Sequence, residues 1–157
     1  MAVSFVVLFS FGALAESVKA PEWTLQTEKG EIVRLEDYKG KPLIIHFWAT
    51  WCPYCKKLQP GLESLYQKYQ DDGLEIIGVS WWEDEGAEPQ KTLKQRGISF
   101  KTVINGDAVA KRYGVQGTPT TYFIDRSGNI VLKTTVSDPK SPKLEAAALT
   151  IVDKKEG

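Results

Sequence analysis

Apolar residues occur along the chain in short runs of strand length, separated by segments with a helical repeat. Residues 43–48 are apolar on both faces, and residues 74–80 form a second buried-type run, a pattern typical of strands covered on both sides of a sheet. Between them Leu58, Leu62 and Leu65 recur at helical spacing, so the segment after the cysteines is predicted to be helical to about Gln70. This strand, helix and strand order predicts a parallel strand pair in an α/β domain.

The remaining elements are shorter, and turn residues separate them. The predicted elements are hairpin strands at 23–26 and 31–35, a connector at 35–42, a helix at 89–96, a strand at 101–104, a helix at 107–113, a second hairpin of strands at 120–124 and 130–135, and a final helix. Ser141 is predicted to cap that final helix, with Pro142 at its first position. Together these elements predict a central sheet flanked by helices.

Composition and charge narrow the possible partners. A length of 157 residues suits one domain, and the hydrophobic content of 42% supports a globular fold. The 20 basic and 20 acidic residues give a formal net charge of zero, so the chain lacks the positive field that attracts polyanions. We therefore expect no nucleic-acid partner.

The N-terminal segment reads as a targeting sequence. Residues 2–15 are almost wholly apolar and end in Ala13-Leu14-Ala15, the small-x-small pattern that signal peptidase reads, although no Lys or Arg precedes them. We interpret residues 1–15 as a secretory signal; an uncleaved membrane anchor or a buried N-terminal element are the alternatives. Residues 16–157 are then a single domain in an oxidising, extracytoplasmic compartment such as the bacterial periplasm, either soluble after cleavage or N-terminally anchored.

The only two cysteines, Cys52 and Cys55, are separated by two residues where the first buried strand turns into a helix. Free N–H groups and the helix dipole stabilise an anion at a helix start, so a thiol there ionises below the usual pKa of about 8.5. Cys52 is therefore the predicted nucleophile, and Pro53 suits the first helical turn. Cys55, one turn further, is placed to resolve a mixed disulfide. The pair predicts a reversible dithiol–disulfide switch.

Two other readings of the cysteines remain open. A zinc site needs about four ligands, but only one histidine, His46, accompanies the two cysteines, so we expect no metal. A purely structural disulfide would close a very short loop and would restrict the unfolded chain little. Redox chemistry is the preferred interpretation.

Three separated motifs resemble those of the thioredoxin superfamily. They are Phe47-Trp48-Ala49-Thr50-Trp51-Cys52-x-x-Cys55, Pro60 within the following helix, and Gly117-Thr118-Pro119-Thr120 before a strand. The N-terminal hairpin, an extra helix inserted after Trp82 and the phrase Asp37-Tyr38-Lys39-Gly40-Lys41-Pro42 resemble its TlpA/ResA branch of extracytoplasmic thiol-disulfide oxidoreductases. The resemblance covers roughly residues 20–155. It implies a thioredoxin-like α/β fold with a central mixed β-sheet, an N-terminal β-hairpin and an inserted helix.

The resemblance also implies roles for individual residues. Pro119 is implied to have a cis peptide bond beside the cysteines, where the preceding backbone at Thr118 aligns an extended substrate segment; an ordinary trans turn proline is the alternative. Residues implied to bind substrate around the cysteines are Trp51, Pro53 and Tyr54.

The partners implied are proteins that contain a disulfide or a dithiol, and no cofactor is implied. A reductase in such a compartment must be recharged, and the resemblance points to a membrane electron donor of the DsbD/CcdA type. Cytochrome c maturation, which needs reduced haem-attachment cysteines, is one destination among several. We expect a monomer.

Two positions depart from the family pattern. His46 stands where thioredoxin has a buried acid that helps move the proton of the second cysteine. A histidine there is a candidate proton relay near neutral pH, or a core histidine with no such role. Leu58 stands where ResA-like proteins often carry a glutamate, which removes one candidate proton donor and adds interest to His46.

Trp81, Trp82 and the acidic run that follows them are predicted to lie at the same sheet edge as Cys52. They are either core tryptophans beside a solvated loop or, if Trp82 is exposed, part of a partner-docking surface.

Two other functions belong to different classes. A peroxiredoxin-like thiol peroxidase would use one thiolate against peroxide, but its family usually sets Thr or Ser where this chain has Ala49. A non-catalytic binding module would use the fold only to hold partners.

Overall fold

The computed structural model describes residues 17–153, in which seven strands lie. The strands are β1 (Thr24–Gln26), β2 (Ile32–Arg34), β3 (Leu43–Trp48), β4 (Glu75–Ser80), β5 (Lys101–Val103), β6 (Thr120–Ile124) and β7 (Ile130–Thr134). The helices are α1 (Pro53–Tyr69), α2 (Pro89–Gln95), α3 (Asp107–Arg112) and α4 (Pro142–Val152). Each helix and strand lies within a residue or two of its predicted position.

Five strands form one mixed sheet in the order β5-β4-β3-β6-β7. β3 is its central strand, parallel to β4 and antiparallel to β6, and all six of its residues are buried. This burial explains why residues 43–48 are apolar except for His46, because a strand covered on both faces has no side exposed to water. The predicted thioredoxin-like α/β architecture is confirmed.

The first two strands form the predicted N-terminal hairpin, with Leu25 opposite Val33. The hairpin is joined to the sheet beyond β5, where the Ile104 N–H donates to the Gln26 carbonyl at 2.9 Å. α2 lies between β4 and β5 and is the inserted helix that the family resemblance implied.

The period-two alternation along β3 divides the core into two layers. Ile44 and Trp48 face a cluster that includes residues of α1, α2 and α4. Ile45 and Phe47 face the opposite cluster, formed with α3 and the hairpin. His46 shares the face of Ile44 and Trp48, so it lies beneath α1, the helix that follows the cysteines.

Two local details differ from the prediction. The segment predicted as a plain connector contains a short 3-10 helix, Leu35–Tyr38, in which Asp37 accepts the Arg34 N–H at 2.7 Å. Ser141 precedes α4 as predicted, but its side chain makes no capping hydrogen bond. Proline at the first helical position already removes one free N–H, which lessens the need for a cap.

The predicted signal or anchor at residues 1–15 lies outside the described residues. Within residues 17–153, no helix combines the length and the apolar character that crossing a bilayer requires.

Candidate active site around Cys52 and Cys55

The two cysteines lie where β3 gives way to α1. Cys52 is the N-cap residue of α1, and its sulfur accepts the Cys55 N–H at 3.1 Å. Pro53 occupies the first turn, where its missing N–H leaves no hydrogen bond unmade. The hydrogen bond from the Cys55 N–H and the helix dipole both favour negative charge on the Cys52 sulfur.

Cys52 and Cys55 are joined in a disulfide, with their Cα atoms 5.3 Å apart. Cys55 is fully buried, while Cys52 retains 2% of its surface. Among residues 17–153, the pair is therefore reached by solvent on the Cys52 side, the side from which a partner's sulfur would have to approach.

Pro119 lies at the same edge of the sheet as the cysteines. Thr120 begins β6 and pairs with Phe47, one residue before the end of β3, which places Thr118 and Pro119 next to the loop that leads to Cys52. The peptide bond between Thr118 and Pro119 is cis. The Thr120 hydroxyl donates to the Gly117 carbonyl at 2.8 Å, which closes this turn.

Exposed aromatic side chains surround the opening. Trp51 is 44% exposed, Tyr54 61% and Trp82 57%, whereas Trp81 is partly buried against the core. The Trp51 indole N–H donates to the Trp82 carbonyl at 2.7 Å, and the two rings meet edge to face with centroids 5.1 Å apart. Trp82 is thus not a core residue, and the structure brings it beside the cysteine loop, as the docking interpretation requires.

Trp82 lines one side of a cavity of about 530 Å³. Acidic residues dominate its charge, namely Glu28, Glu83, Asp84, Glu85 and Asp107. The acidic run of the sequence therefore borders the same surface as the exposed tryptophans. Within residues 17–153, no group of three or more His, Cys, Asp and Glu side chains is arranged to hold a metal ion.

His46 is fully buried beneath the cysteine helix. Its Nδ1 lies 3.2 Å from the Thr121 hydroxyl, and its Nε2 lies 3.5 Å from the Gln59 side-chain nitrogen. Burial, and then the positive charge of Arg96, lower the pKa of His46 from its usual 6.5 to about 3. The imidazole therefore stays neutral at pH 6–8, which disfavours the relay near neutral pH that the sequence suggested.

The buried imidazole predicts a pH-dependent stability. Because the folded state keeps His46 neutral while the unfolded chain protonates it below about pH 6.5, stability should fall as the pH drops. Urea unfolding between about pH 6.5 and pH 5 should show a slope approaching about 1.4 kcal/mol per pH unit. The pKa values of Glu63 and Glu145 are also lowered. Protonation of these carboxylates reduces the free energy of unfolding only near and below pH 4.5, outside this pH range.

A His46→Gln variant should lose that slope while keeping a neutral polar side chain. The chain has one histidine, so its proton NMR signal can be followed without assignment. A signal that titrates near pH 6.5 would contradict the lowered pKa and would restore the proton-relay hypothesis.

A polar network behind the cysteine loop is not indicated by any sequence motif. Arg96 donates to the Gln59 side-chain oxygen and to the Thr50 carbonyl, both at 2.8 Å. Glu83 accepts the Thr50 N–H at 2.8 Å and the Thr50 hydroxyl at 2.6 Å, and also the Ser80 hydroxyl at 2.7 Å. The sequence offers one signal of this network, a glutamine at position 59 among the apolar positions of the helix, and the structure shows that Gln59 is fully buried.

Comparison with known proteins agrees with this geometry. Residues 17–133 match the AhpC/TSA family model. A thiol-disulfide oxidoreductase ResA from Geobacillus thermodenitrificans is 37% identical over 75% of this chain and 68% of its own length. A ResA from Bacillus thuringiensis is 34% identical over 83% of this chain and 78% of its own length.

Solved structures show the same fold. A thiol:disulfide interchange protein from Bacteroides sp. superposes with a TM-score of 0.72 and 30% identity, covering 92% of this chain and 95% of that one. The relatives and the solved structure are named for thiol-disulfide exchange, and this chain shares their fold and carries a Cys-x-x-Cys pair. The chain therefore belongs to the AhpC/TSA family, as a thiol-disulfide oxidoreductase similar to ResA.

Proposed function

We propose that this protein reduces disulfides of extracytoplasmic partner proteins through Cys52 and Cys55. The observation that carries the proposal is the placement of the pair. Cys52 caps α1, its sulfur accepts a backbone N–H, and within the described residues it is the cysteine of the pair that keeps some solvent exposure. A sulfur in this position is stabilised as a thiolate, which is the form that attacks disulfides.

The mechanism needs only the two sulfurs. The Cys52 thiolate attacks one sulfur of the partner's disulfide, that disulfide breaks, and the other partner sulfur leaves as a thiolate. Cys55 then loses its proton and attacks the Cys52 sulfur, which releases the second partner thiol and forms the Cys52–Cys55 disulfide. Two electrons pass from this protein to the partner.

The surface around Cys52 supports docking of a polypeptide. Trp51, Tyr54 and Trp82 offer exposed aromatic area, and aromatic residues are enriched where protein partners bind. Thr118 and Pro119 lie at the same sheet edge, where we assign them the alignment of the partner's extended segment against the mixed disulfide.

The compartment and the electron supply complete the proposal. The apolar residues 1–15 support export from the cytoplasm, and we place the protein in the periplasm or an equivalent compartment, soluble or N-terminally anchored. A membrane donor of the DsbD/CcdA type would re-reduce the disulfide, and apocytochrome c is one candidate substrate. We propose that the protein acts as a monomer.

The reduction potential of the Cys52–Cys55 pair tests the direction of electron flow. It is measured by equilibration in a dithiothreitol or glutathione series, with tryptophan fluorescence as the signal. We expect a value nearer thioredoxin's, about −270 mV, than that of the oxidant DsbA, about −120 mV. A value near −120 mV would overturn the proposal and would make the protein a donor of disulfides.

A further inference from the structure

Two side chains from the inserted segment, residues 81–97, hold a residue of the cysteine loop. That residue is Thr50, two positions before Cys52. Glu83 binds its N–H and its hydroxyl, while Arg96 binds its carbonyl. The backbone polar groups of Thr50 are therefore held from two sides by side chains that are distant in sequence.

Each of the two holding side chains is itself fixed. The second carboxylate oxygen of Glu83 also accepts the Thr50 N–H, at 3.1 Å. The Ser80 hydroxyl, at the end of β4, donates a further hydrogen bond to the Glu83 carboxylate. The Arg96 guanidinium lies 5.6 Å from the centroid of the buried Trp48 ring and also donates to Gln59. Partly buried, charge-assisted hydrogen bonds of this kind are stronger and more directional than neutral ones.

The loop between Thr50 and Cys52 is short, so displacement of Thr50 moves Cys52. This loop forms a turn, closed by a hydrogen bond in which the Cys52 N–H donates to the Ala49 carbonyl at 3.2 Å. The contact between the Cys52 sulfur and the Cys55 N–H, which favours the thiolate, depends on where this turn ends.

We propose that Glu83 and Arg96 are positioning residues that clamp Thr50 and thereby keep Cys52 aligned at the start of α1 for attack. The inserted segment then does more than extend the fold: it sets the reactivity of the cysteine pair. This inference rests on the redox role of Cys52 and Cys55 proposed above.

The test is the rate at which iodoacetamide alkylates Cys52 in the reduced protein near neutral pH. The variants are Arg96→Met and Glu83→Gln, in each of which one side of the clamp is weakened. We expect alkylation to slow by about tenfold in each, which corresponds to about 1.4 kcal/mol. Alkylation needs no partner, so its outcome is separate from whether the protein reduces or oxidises disulfides.

The opposite charges of the two residues separate a clamp from a long-range field. If only charge mattered, loss of Arg96 would slow alkylation and loss of Glu83 would speed it, because a nearby cation favours a thiolate and an anion disfavours it. A clamp predicts slowing in both variants. Faster alkylation of Glu83→Gln would therefore overturn the proposal.

Arg96→Lys provides a second check, because it keeps the positive charge but loses the planar fork that reaches two acceptors at once. We expect it to remain slow, and a wild-type rate would count against the clamp. Arg126 provides the matched control: it donates to the Gly40 and Asp72 carbonyls beyond the opposite end of β3. Arg126→Met should alkylate at the wild-type rate, whatever its melting temperature. Wild-type rates in both clamp variants, with only a lower melting temperature, would leave a purely structural role and end the proposal.

Discussion

Replacement of Cys52 by serine is expected to abolish disulfide reduction. A serine hydroxyl does not ionise near neutral pH and forms no mixed disulfide, so no first step remains. The variant should fold normally, because serine differs from cysteine by one atom and its hydroxyl oxygen can accept the same Cys55 N–H. Loss of activity is measured by reduction of a protein disulfide substrate, with circular dichroism to verify the fold.

Replacement of Cys55 by serine should instead stop the reaction halfway. Cys52 can still attack, but the fully buried Cys55 sulfur that releases the partner is gone. Covalent complexes with partner proteins should accumulate and disappear on addition of dithiothreitol, as seen on non-reducing gels. The double serine variant is the control and should trap nothing.

The same two variants separate the rival functions. Rapid consumption of peroxide by Cys55→Ser would favour a thiol peroxidase, which needs one thiolate. Unchanged partner function in the double serine variant would favour a non-catalytic binding module. Either result would contradict the proposed mechanism.

Trp48→Ala is expected to produce the largest loss of stability, about 3–5 kcal/mol of the free energy of unfolding. Trp48 is fully buried at the end of β3, and its indole N–H donates to the Thr102 hydroxyl at 3.0 Å. Truncation leaves a cavity, deprives the buried Thr102 hydroxyl of its indole donor, and removes the ring against which Arg96 lies. Urea denaturation measures the loss.

Trp82→Ala is the matched control, because the same side chain is removed from a surface position. Trp82 is more than half exposed, so its truncation should change the free energy of unfolding by less than about 1 kcal/mol. A loss in Trp48→Ala no greater than that in Trp82→Ala would mean that the cluster beneath the cysteines is not tightly packed.

The sequence predicts those features that local pattern determines. The bounds of β3 agree with the prediction at both ends, because a run of six residues that are apolar except for His46 is typical of a strand buried on both faces. The start of α1 follows equally from Pro53 after Cys52. The site of the cysteine pair is predictable for the same reason, because its spacing and its place before a helix are both features of the local sequence.

Contacts between residues that are distant in sequence do not follow from local pattern. Glu83 is 33 positions from Thr50, and Arg96 is 46 positions from it. His46 illustrates the limit from the other direction. The pattern predicts that the strand of His46 is buried, but the pKa of His46 depends also on the charge of Arg96, which no sequence pattern places beside it. Exposure of Trp82 likewise depends on the path of the loop after β4.

The inserted segment between β4 and β5 also bears on how such enzymes diversify. Residues 81–97 carry the exposed Trp82 together with Glu83 and Arg96, while the strands on either side keep the core closed. Partner choice and cysteine reactivity can therefore vary together within one short segment, whose main tie to the core is the buried Leu93 of α2. A protein engineer could exchange this stretch between relatives as a single cassette that keeps the buried leucine, and so retune the enzyme.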